Sequence, residues 1–288
     1  MLLPGFLYLL INNYIPIFGL VIAFKKVDFR VGIMNSPWAG LSNFTYLFKT
    51  PDAFIITRNT LLYNVAFIAV NTFTAILIAI LLSEIRSKSK IKLFQSCVLI
   101  PSLISIIIVS YLTYAFLSGR TGFINGSLAS AGKEPVSFYT EPKYWPGILI
   151  FINCWKGAGY SSIIYLAALL GIGPEMSEAA EIDGATRWSK IRFITLPLLK
   201  STVITLTLMS IGRIFYSDFG LFYQVPMNSG ALINATNTID TYVYRGLIKL
   251  GDISMSSAAC VYQSLVGFIL VLAANYITRK YSAENALF

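Results

Sequence analysis

The sequence predicts an all-α integral membrane protein, and three observations lead to that prediction. Of the 288 residues, 56% are hydrophobic and 12% are charged, which leaves too little polar surface to cover a soluble globule of this size. Several windows of about 20 residues contain no Asp, Glu, Lys or Arg, as a bilayer span requires. Turn-forming and aromatic residues gather between these windows. We therefore expect one membrane domain, residues 1–288, without an attached soluble domain.

Six hydrophobic runs satisfy the spanning criterion. They cover roughly residues 3–24, 59–82, 93–117, 145–171, 199–223 and 256–278. The first run has no basic leader and no small-residue cleavage site, so we expect a retained span rather than a removable signal peptide. An even number of spans predicts that both termini lie on one side of the membrane. Whether the N-terminus is truncated stays open.

Lys and Arg residues are shared between two sets of connecting segments. Ten of them lie in short segments, namely 86–92, 187–200 and 279–280. Another ten lie in segments about twice as long in total, namely 25–58, 118–144 and 224–255. Their density therefore favours the first set on the cytoplasmic side. The net charge is +9, and the Lys and Arg residues lie in short clusters beside apolar runs. We therefore expect them to contact membrane lipid and not nucleic acid.

The composition also argues against chemistry on this chain. Histidine is absent, and no G-x-x-x-x-G-K-[ST] phosphate-binding loop occurs. Cys97, Cys154 and Cys260 all fall in apolar runs, which is typical of packing residues rather than of a metal site or a disulfide framework. We expect no catalytic residue, no bound metal and no bound cofactor.

The charged segment between the fourth and fifth runs predicts a docking surface for a soluble partner. Pro174 suits the first turn of a short helix, and Gly184 suits its exit. The small side chains of Ala179 and Ala180 allow another protein to approach one face of this helix closely. Glu178 can offer a carboxylate to an arginine of that partner.

This segment resembles the loop of permease subunits of binding-protein-dependent ABC importers, which reads E-A-A, three residues, G, nine residues, I, one residue, L-P. The matching positions are Glu178, Ala179, Ala180, Gly184, Ile194, Leu196 and Pro197. In that family the loop carries a coupling helix seated in a cleft of the cytoplasmic ATPase. The resemblance therefore implies the type I importer permease fold with six transmembrane helices, and a cytoplasmic coupling loop at residues 172–198. It also implies that ATP and Mg²⁺ are used by a partner ATPase.

Other stretches resemble a sugar-transporting branch of this family. Trp38–Phe44 and Asn59–Leu61 resemble the G-L-x-N-F and N-T-L segments of carbohydrate permeases. Asp240–Leu247 and the tail Tyr281–Phe288 resemble polysaccharide and aldouronate oligosaccharide permeases of Gram-positive bacteria. The resemblance implies a bacterial plasma membrane location and a heterodimer with a second homologous permease. It also implies cytoplasmic ATPase subunits and an extracellular lipoprotein that captures the oligosaccharide.

Ionisable residues inside spans are costly in a bilayer and usually face a cavity, so they are candidates for the translocation path. These residues are Lys156, Arg213 and Asp218, with the neighbouring aromatic residues Trp155, Tyr160 and Tyr216. Aromatic faces beside polar groups suit the CH faces and hydroxyl rim of a pyranose. Arg213 or Lys156 could pair with the carboxylate of an acidic sugar. The alternative is that Arg213 and Asp218 pair with each other and the aromatic residues serve packing.

The expected function is a permease subunit of an ATP-driven importer that moves an oligosaccharide into the cytoplasm. Three alternatives stay open: an ABC permease for a non-sugar solute, a motor-free secondary carrier or channel, and a sensory role. A carrier requires inverted repeats and mid-membrane carboxylates, for which Asp218 is one candidate.

Overall fold

The computed structural model describes residues 2–85, 87–119, 121–171 and 175–281, and every regular element within these ranges is helical. An antiparallel bridge between Lys25 and Trp38 is their one β feature. The all-α prediction is therefore confirmed for the described chain. Residues 172–174 of the predicted coupling loop and residues 282–288 of the tail lie outside these ranges.

The helices of the described ranges are named in chain order. They are α1 (Leu3–Phe24), α2 (Ser42–Lys49), α3 (Pro51–Ser83), α4 (Lys88–Leu103), α5 (Ile106–Leu117), α6 (Phe123–Ser130), α7 (Trp145–Leu170), α8 (Glu175–Ile182), α9 (Arg187–Ile211), α10 (Ile233–Thr236), α11 (Ile239–Lys249) and α12 (Ile253–Tyr281). Short turns of 3₁₀ or π helix occur at Pro142–Tyr144, Gly220–Gln224 and Gly230–Leu232.

Four described helices, α1, α3, α9 and α12, are long and apolar enough to cross a membrane. Helices α4 and α5 together form a fifth candidate, bent by 91°. Helix α7 has 26 residues, enough to cross at about 1.5 Å per residue. It carries the polar residues Asn153 and Lys156. The chain is thus a multi-pass membrane protein, and the count of six spans stays a prediction.

The predicted fifth span, 199–223, is not one helix. Helix α9 starts earlier, at Arg187, and ends at Ile211. Beyond it, the Ser217 N–H and hydroxyl both donate to Asp240 Oδ2 at 2.7 Å. The Leu221 N–H donates to Asp218 Oδ1 at 3.1 Å and begins the next helical turn. These side-chain contacts replace the main-chain bonds of a continuing helix, and hydropathy does not register them.

Two other boundaries also differ from the prediction. Helix α3 begins at Pro51 rather than at residue 59, because Pro51 suits a first helical turn and Asp52 complements the helix dipole there. The predicted third span, 93–117, is two helices. Pro101 removes a main-chain donor near the end of α4, and the Ser105 side chain accepts from the Ile107 N–H to start α5.

The central helix pair of the bundle is α3 with α7, which buries apolar side chains at both of its ends. One buried group joins α3 and α7 to α5 and to the Gly220–Gln224 turn and includes Tyr63, Trp145 and Phe222. A second group, at the end of α3 that precedes α4, includes Ala79 and Tyr165. A third group joins α2, α3, α11 and α12. This packing leaves the middle of the α3–α7 pair for polar residues.

Candidate functional site

A helix and a tight turn occupy the segment that matches the importer loop. Helix α8 ends at Ile182, and Gly184 follows with a φ of 77°. The Gly184 N–H donates to the Glu181 carbonyl at 3.1 Å, and the Ala185 N–H donates to the Ala180 carbonyl at 2.9 Å. This pair of bonds is the Schellman motif, which requires a left-handed residue at the position of Gly184. Glycine adopts that conformation without steric cost.

The start of α9 is tied back to α8. Thr186 Oγ1 accepts from the Ser189 N–H at 3.2 Å and caps the helix. The Lys190 ammonium forms an ion pair with the Glu181 carboxylate, which joins the two helices across the turn. The segment is therefore a shaped unit rather than a loose connector.

The same segment exposes large apolar side chains. Ile182 is 87% exposed and Trp188 is 69% exposed. Glu178 and Ala179 are exposed as well, and Ala180 is partly exposed. Exposed apolar residues within a polar connector are typical of a protein contact surface. Ile182 lies within the predicted contact stretch Glu178–Gly184, whereas sequence analysis missed Trp188, although it is a large apolar residue in a charged stretch.

The remaining motif positions, Ile194, Leu196 and Pro197, lie further along, within α9. Residues Ile191–Thr195 form a π-helical turn, and the Leu196 N–H donates to the Ile191 carbonyl. Pro197 has no N–H to donate, so it follows this widened turn without leaving a donor unpaired. These three residues therefore determine the shape of the first turns of α9, and they do not belong to the exposed surface formed by α8 and the turn at Gly184.

A polar cavity of ≈ 340 Å³ lies between α3, the break between α4 and α5, α7 and the Gly220–Gln224 turn. It is lined by Asn71, Ser102, Ile106, Asn153, Lys156, Gly157, Tyr160, Ser161, Asp218 and Leu221. The structure thus brings together three of the predicted path residues, Lys156, Tyr160 and Asp218.

The other three predicted path residues do not line this cavity. Trp155 lines a separate, apolar cavity of ≈ 540 Å³ together with Phe116 and Phe151. Arg213 and Tyr216 are exposed in the segment that follows α9. Arg213 and Asp218 form no ion pair with each other in the described part of the chain. The predicted roles of these residues in transport stay predictions.

Two asparagines that sequence analysis missed supply much of the polar lining. Asn71 Nδ2 donates to Asn153 Oδ1 at 2.7 Å. Among the described residues, Asn71 Oδ1 is buried and has no hydrogen-bond partner. A buried acceptor without a donor is costly. An amide inside an apolar run could have indicated these two residues, but it stands out less than an ionisable side chain.

The two charged groups of the cavity are already engaged with the protein backbone. The Lys156 ammonium donates to the Pro101 carbonyl at 3.3 Å and to the Ile104 carbonyl. Asp218 Oδ1 accepts from the Leu221 N–H. Tyr160, by contrast, has an exposed ring. The cavity therefore offers amides, hydroxyls and one aromatic face, a combination that suits a sugar ring.

The asparagines of the two segments that resemble carbohydrate permeases bond to the main chain of neighbouring loops. Asn59 Nδ2 donates to the carbonyls of Asn234 at 3.0 Å and Asn237 at 2.9 Å. Asn43 Nδ2 donates to the carbonyls of Ala23 at 2.8 Å and Lys25 at 3.0 Å. Their amides satisfy buried main-chain groups, which is a structural role.

One family model matches residues 72–282 of this chain, and its description is binding-protein-dependent transport system inner membrane component. The polygalacturonan/rhamnogalacturonan transport system permease protein YteP of Bacillus subtilis (strain 168) is 36% identical over 99% of this chain and 88% of its own. Protein LplB of the same strain is 35% identical over 99% of this chain and 89% of its own.

Two solved structures share this fold. A chain of a bacterial ABC transporter involved in the import of the acidic polysaccharide alginate has a TM-score of 0.89 and 34% identity, over 98% of this chain and 94% of that chain. A bacterial alginate ABC transporter in complex with an alginate pentasaccharide-bound periplasmic protein contains a chain with a TM-score of 0.88 and 33% identity.

Proposed function

Because the chain belongs to the family of binding-protein-dependent transport system inner membrane components, we propose that it forms half of a transmembrane path for an oligosaccharide. In this family the chain is a transport permease subunit and not an enzyme, so ATP hydrolysis belongs to a partner ATPase. We call α8, the turn at Gly184 and the start of α9 the coupling segment. ATP-driven closure of the partner moves this segment and shifts the bundle between inward-open and outward-open states.

The observation that carries the proposal is the exposed coupling segment. Helix α8, the left-handed Gly184 and the Glu181–Lys190 ion pair give it a defined shape. Ile182 and Trp188 add exposed apolar surface on the same segment. Glu178 through Gly184 make the contact with the ATPase, and α9, which follows directly after the turn at Gly184, transmits the motion into the bundle.

An oligosaccharide is the substrate that the polar cavity supports best. The amides of Asn71 and Asn153 lie in its lining, and the Tyr160 ring offers a face for the CH side of a pyranose. Two of the similar proteins are transporters of acidic polysaccharides, polygalacturonan and alginate. Uronate-containing oligosaccharides are therefore the first substrates to test.

The proposed assembly contains a second homologous permease, cytoplasmic ATPase subunits that use ATP and Mg²⁺, and an extracellular lipoprotein that delivers the sugar. The similar chain in complex with a pentasaccharide-bound periplasmic protein supports the delivery step. The similarity to two Bacillus subtilis chains supports the plasma membrane of a Gram-positive bacterium as the location.

Gentle purification of this chain from its native membrane tests the proposal. Mass spectrometry of everything that remains bound at stoichiometric levels is expected to recover an ATPase and a second, related permease. Recovery of this chain alone, as a stable homo-oligomer, would contradict the proposed assembly.

A further inference from the structure

The third membrane segment contains a break whose main-chain groups need partners. Helix α4 ends at Leu103 and α5 begins at Ile106, with their axes 91° apart. The carbonyls of the last turn of any helix have no partner within that helix. In the apolar part of a bilayer no water replaces those partners, so the protein itself must supply donors.

Lys156 of α7 supplies a donor to the Ile104 carbonyl and a second donor to the Pro101 carbonyl, which also accepts from the Ile104 N–H at 3.3 Å. Its ammonium donates to the Pro101 carbonyl at 3.3 Å and to the Ile104 carbonyl, one inside the last turn of α4 and the other directly after it. A positive charge at the C-terminal end of a helix is also favourable for the helix dipole. An ammonium within a membrane segment is costly unless it is bonded, and here both of its hydrogen bonds go to the break.

A glycine on the same face of α7 brings the two helices together. A Cβ added at Gly159 would lie 2.0 Å from the Val98 carbonyl oxygen, so α4 packs directly against the backbone of α7. Gly159 follows Lys156 by three residues, which places both on one face of the helix. Helix α7 therefore holds α4 at Val98 and again at Pro101.

The other side of the break rests against the Gly220–Gln224 turn. A Cβ added at Gly220 would lie 2.7 Å from Ile106 Cγ2 at the start of α5. Ser102 and Ile106, one on each side of the break, both line the polar cavity together with Lys156 and Asp218. A change in the angle between α4 and α5 must therefore change the shape of the cavity.

We propose that Lys156 is a positioning residue for transport, which holds the break between α4 and α5 and so sets the shape of the translocation cavity. This inference rests on the proposed transport function. It assigns Lys156 a part in the conformational cycle through the two carbonyls, not through a bond to the sugar. Asp218, the acidic residue of the same cavity, forms no ion pair with Lys156 in the described chain. The ammonium instead donates to the two carbonyls at the break.

Lys156→Met tests the proposal, because methionine keeps an unbranched side chain and removes both donors. Lys156→Arg is the matched control, since a guanidinium keeps the charge and donates to more than one carbonyl. Spin labels at the exposed native Cys97 in α4 and at Tyr111→Cys in α5 report the distance across the break. The purified full transporter complex is labelled after Cys154→Ser and Cys260→Ser, without sugar or nucleotide.

We expect Lys156→Met to broaden the label distance distribution in this resting complex, and Lys156→Arg to restore it. In uptake assays, the maximal rate of Lys156→Met should fall about tenfold, as for the loss of a hydrogen bond from a charged donor. The half-saturating sugar concentration should stay within about threefold. If Lys156→Met does not assemble, Lys156→Gln takes its place: its shorter, neutral side chain loses the charge and the reach to two carbonyls, so a smaller broadening in the same direction is expected. An unchanged distribution would count against the proposal in the same way.

An unchanged distance distribution, together with a raised half-saturating concentration and a normal maximal rate, would overturn the proposal and make Lys156 a sugar ligand. The distance measurement needs no transport. Failure to find a transported sugar would therefore count against the proposed function and leave the test of Lys156 intact.

Discussion

Gly184 is the residue at which the coupling segment depends most directly on backbone geometry. Its φ of 77° and the two hydrogen bonds that close the turn set the direction in which the chain leaves α8. A β-branched residue in this conformation costs roughly 1–2 kcal/mol. That cost falls on a short exposed helix, so we expect a local change of shape with the membrane bundle intact.

Gly184→Val should therefore reduce recovery of the ATPase with the permease and reduce uptake, while the amount inserted in the membrane stays normal. Gly184→Asn is the matched control, because asparagine tolerates the left-handed region and should retain most of the uptake. Affinity purification and an uptake assay check both variants. Full ATPase recovery and full uptake with Gly184→Val would contradict the role of this turn.

Tyr160 is the aromatic face of the polar cavity. Tyr160→Ala removes the ring, and loss of an aromatic contact of about 0.5–1.5 kcal/mol should raise the half-saturating sugar concentration about two- to tenfold. Tyr160→Phe keeps the ring and should stay near the wild type. Equal values for all three proteins in an uptake titration would remove Tyr160 from the path.

At the scale of elements, apolar length and the resemblance of one loop predict most of the helices, but not where two of them break. The runs 3–24 and 145–171 coincide closely with α1 and α7. The run 199–223 does not, because Asp240 accepts hydrogen bonds from Ser217 across the fold. A contact with a residue in a later segment leaves no trace in local hydropathy.

The candidate site shows the same division. Lys156, Tyr160 and Asp218 were predictable because charged residues and their aromatic neighbours stand out in apolar runs. Asn71 and Asn153 were not, because an amide inside a span stands out less than a charge. The two amides form the polar lining together because the fold brings α3 and α7 into contact at this point.

The packing of α4 on α7 gives an element-scale prediction. Because the Val98 backbone lies against Gly159, even Gly159→Ala must push the two helices apart, at a cost of about 1–3 kcal/mol for overpacking. The detergent-solubilised complex should melt at a lower temperature. Gly147→Ala is the control within the same helix, since a Cβ there meets nothing within 4 Å and should not lower the melting temperature. Equal melting temperatures for the two variants would contradict this packing.

At the scale of the whole molecule, two long helices that line or lead to the polar cavity flank the coupling segment in the chain. Helix α7 carries Lys156 and Tyr160 and runs toward the coupling segment, and α9 leaves that segment and leads back to Asp218. Movement of the exposed segment therefore reaches both sides of the cavity. Membership of the importer family also favours an ATP-driven subunit over a motor-free carrier.

The measurement that tests this account most directly is uptake of a labelled uronate oligosaccharide by proteoliposomes containing this chain, its partner permease and the ATPase. Uptake is expected to require both ATP and the sugar-loaded capture lipoprotein, and to fall sharply with Gly184→Val. Uptake that proceeds equally well without the ATPase would contradict it.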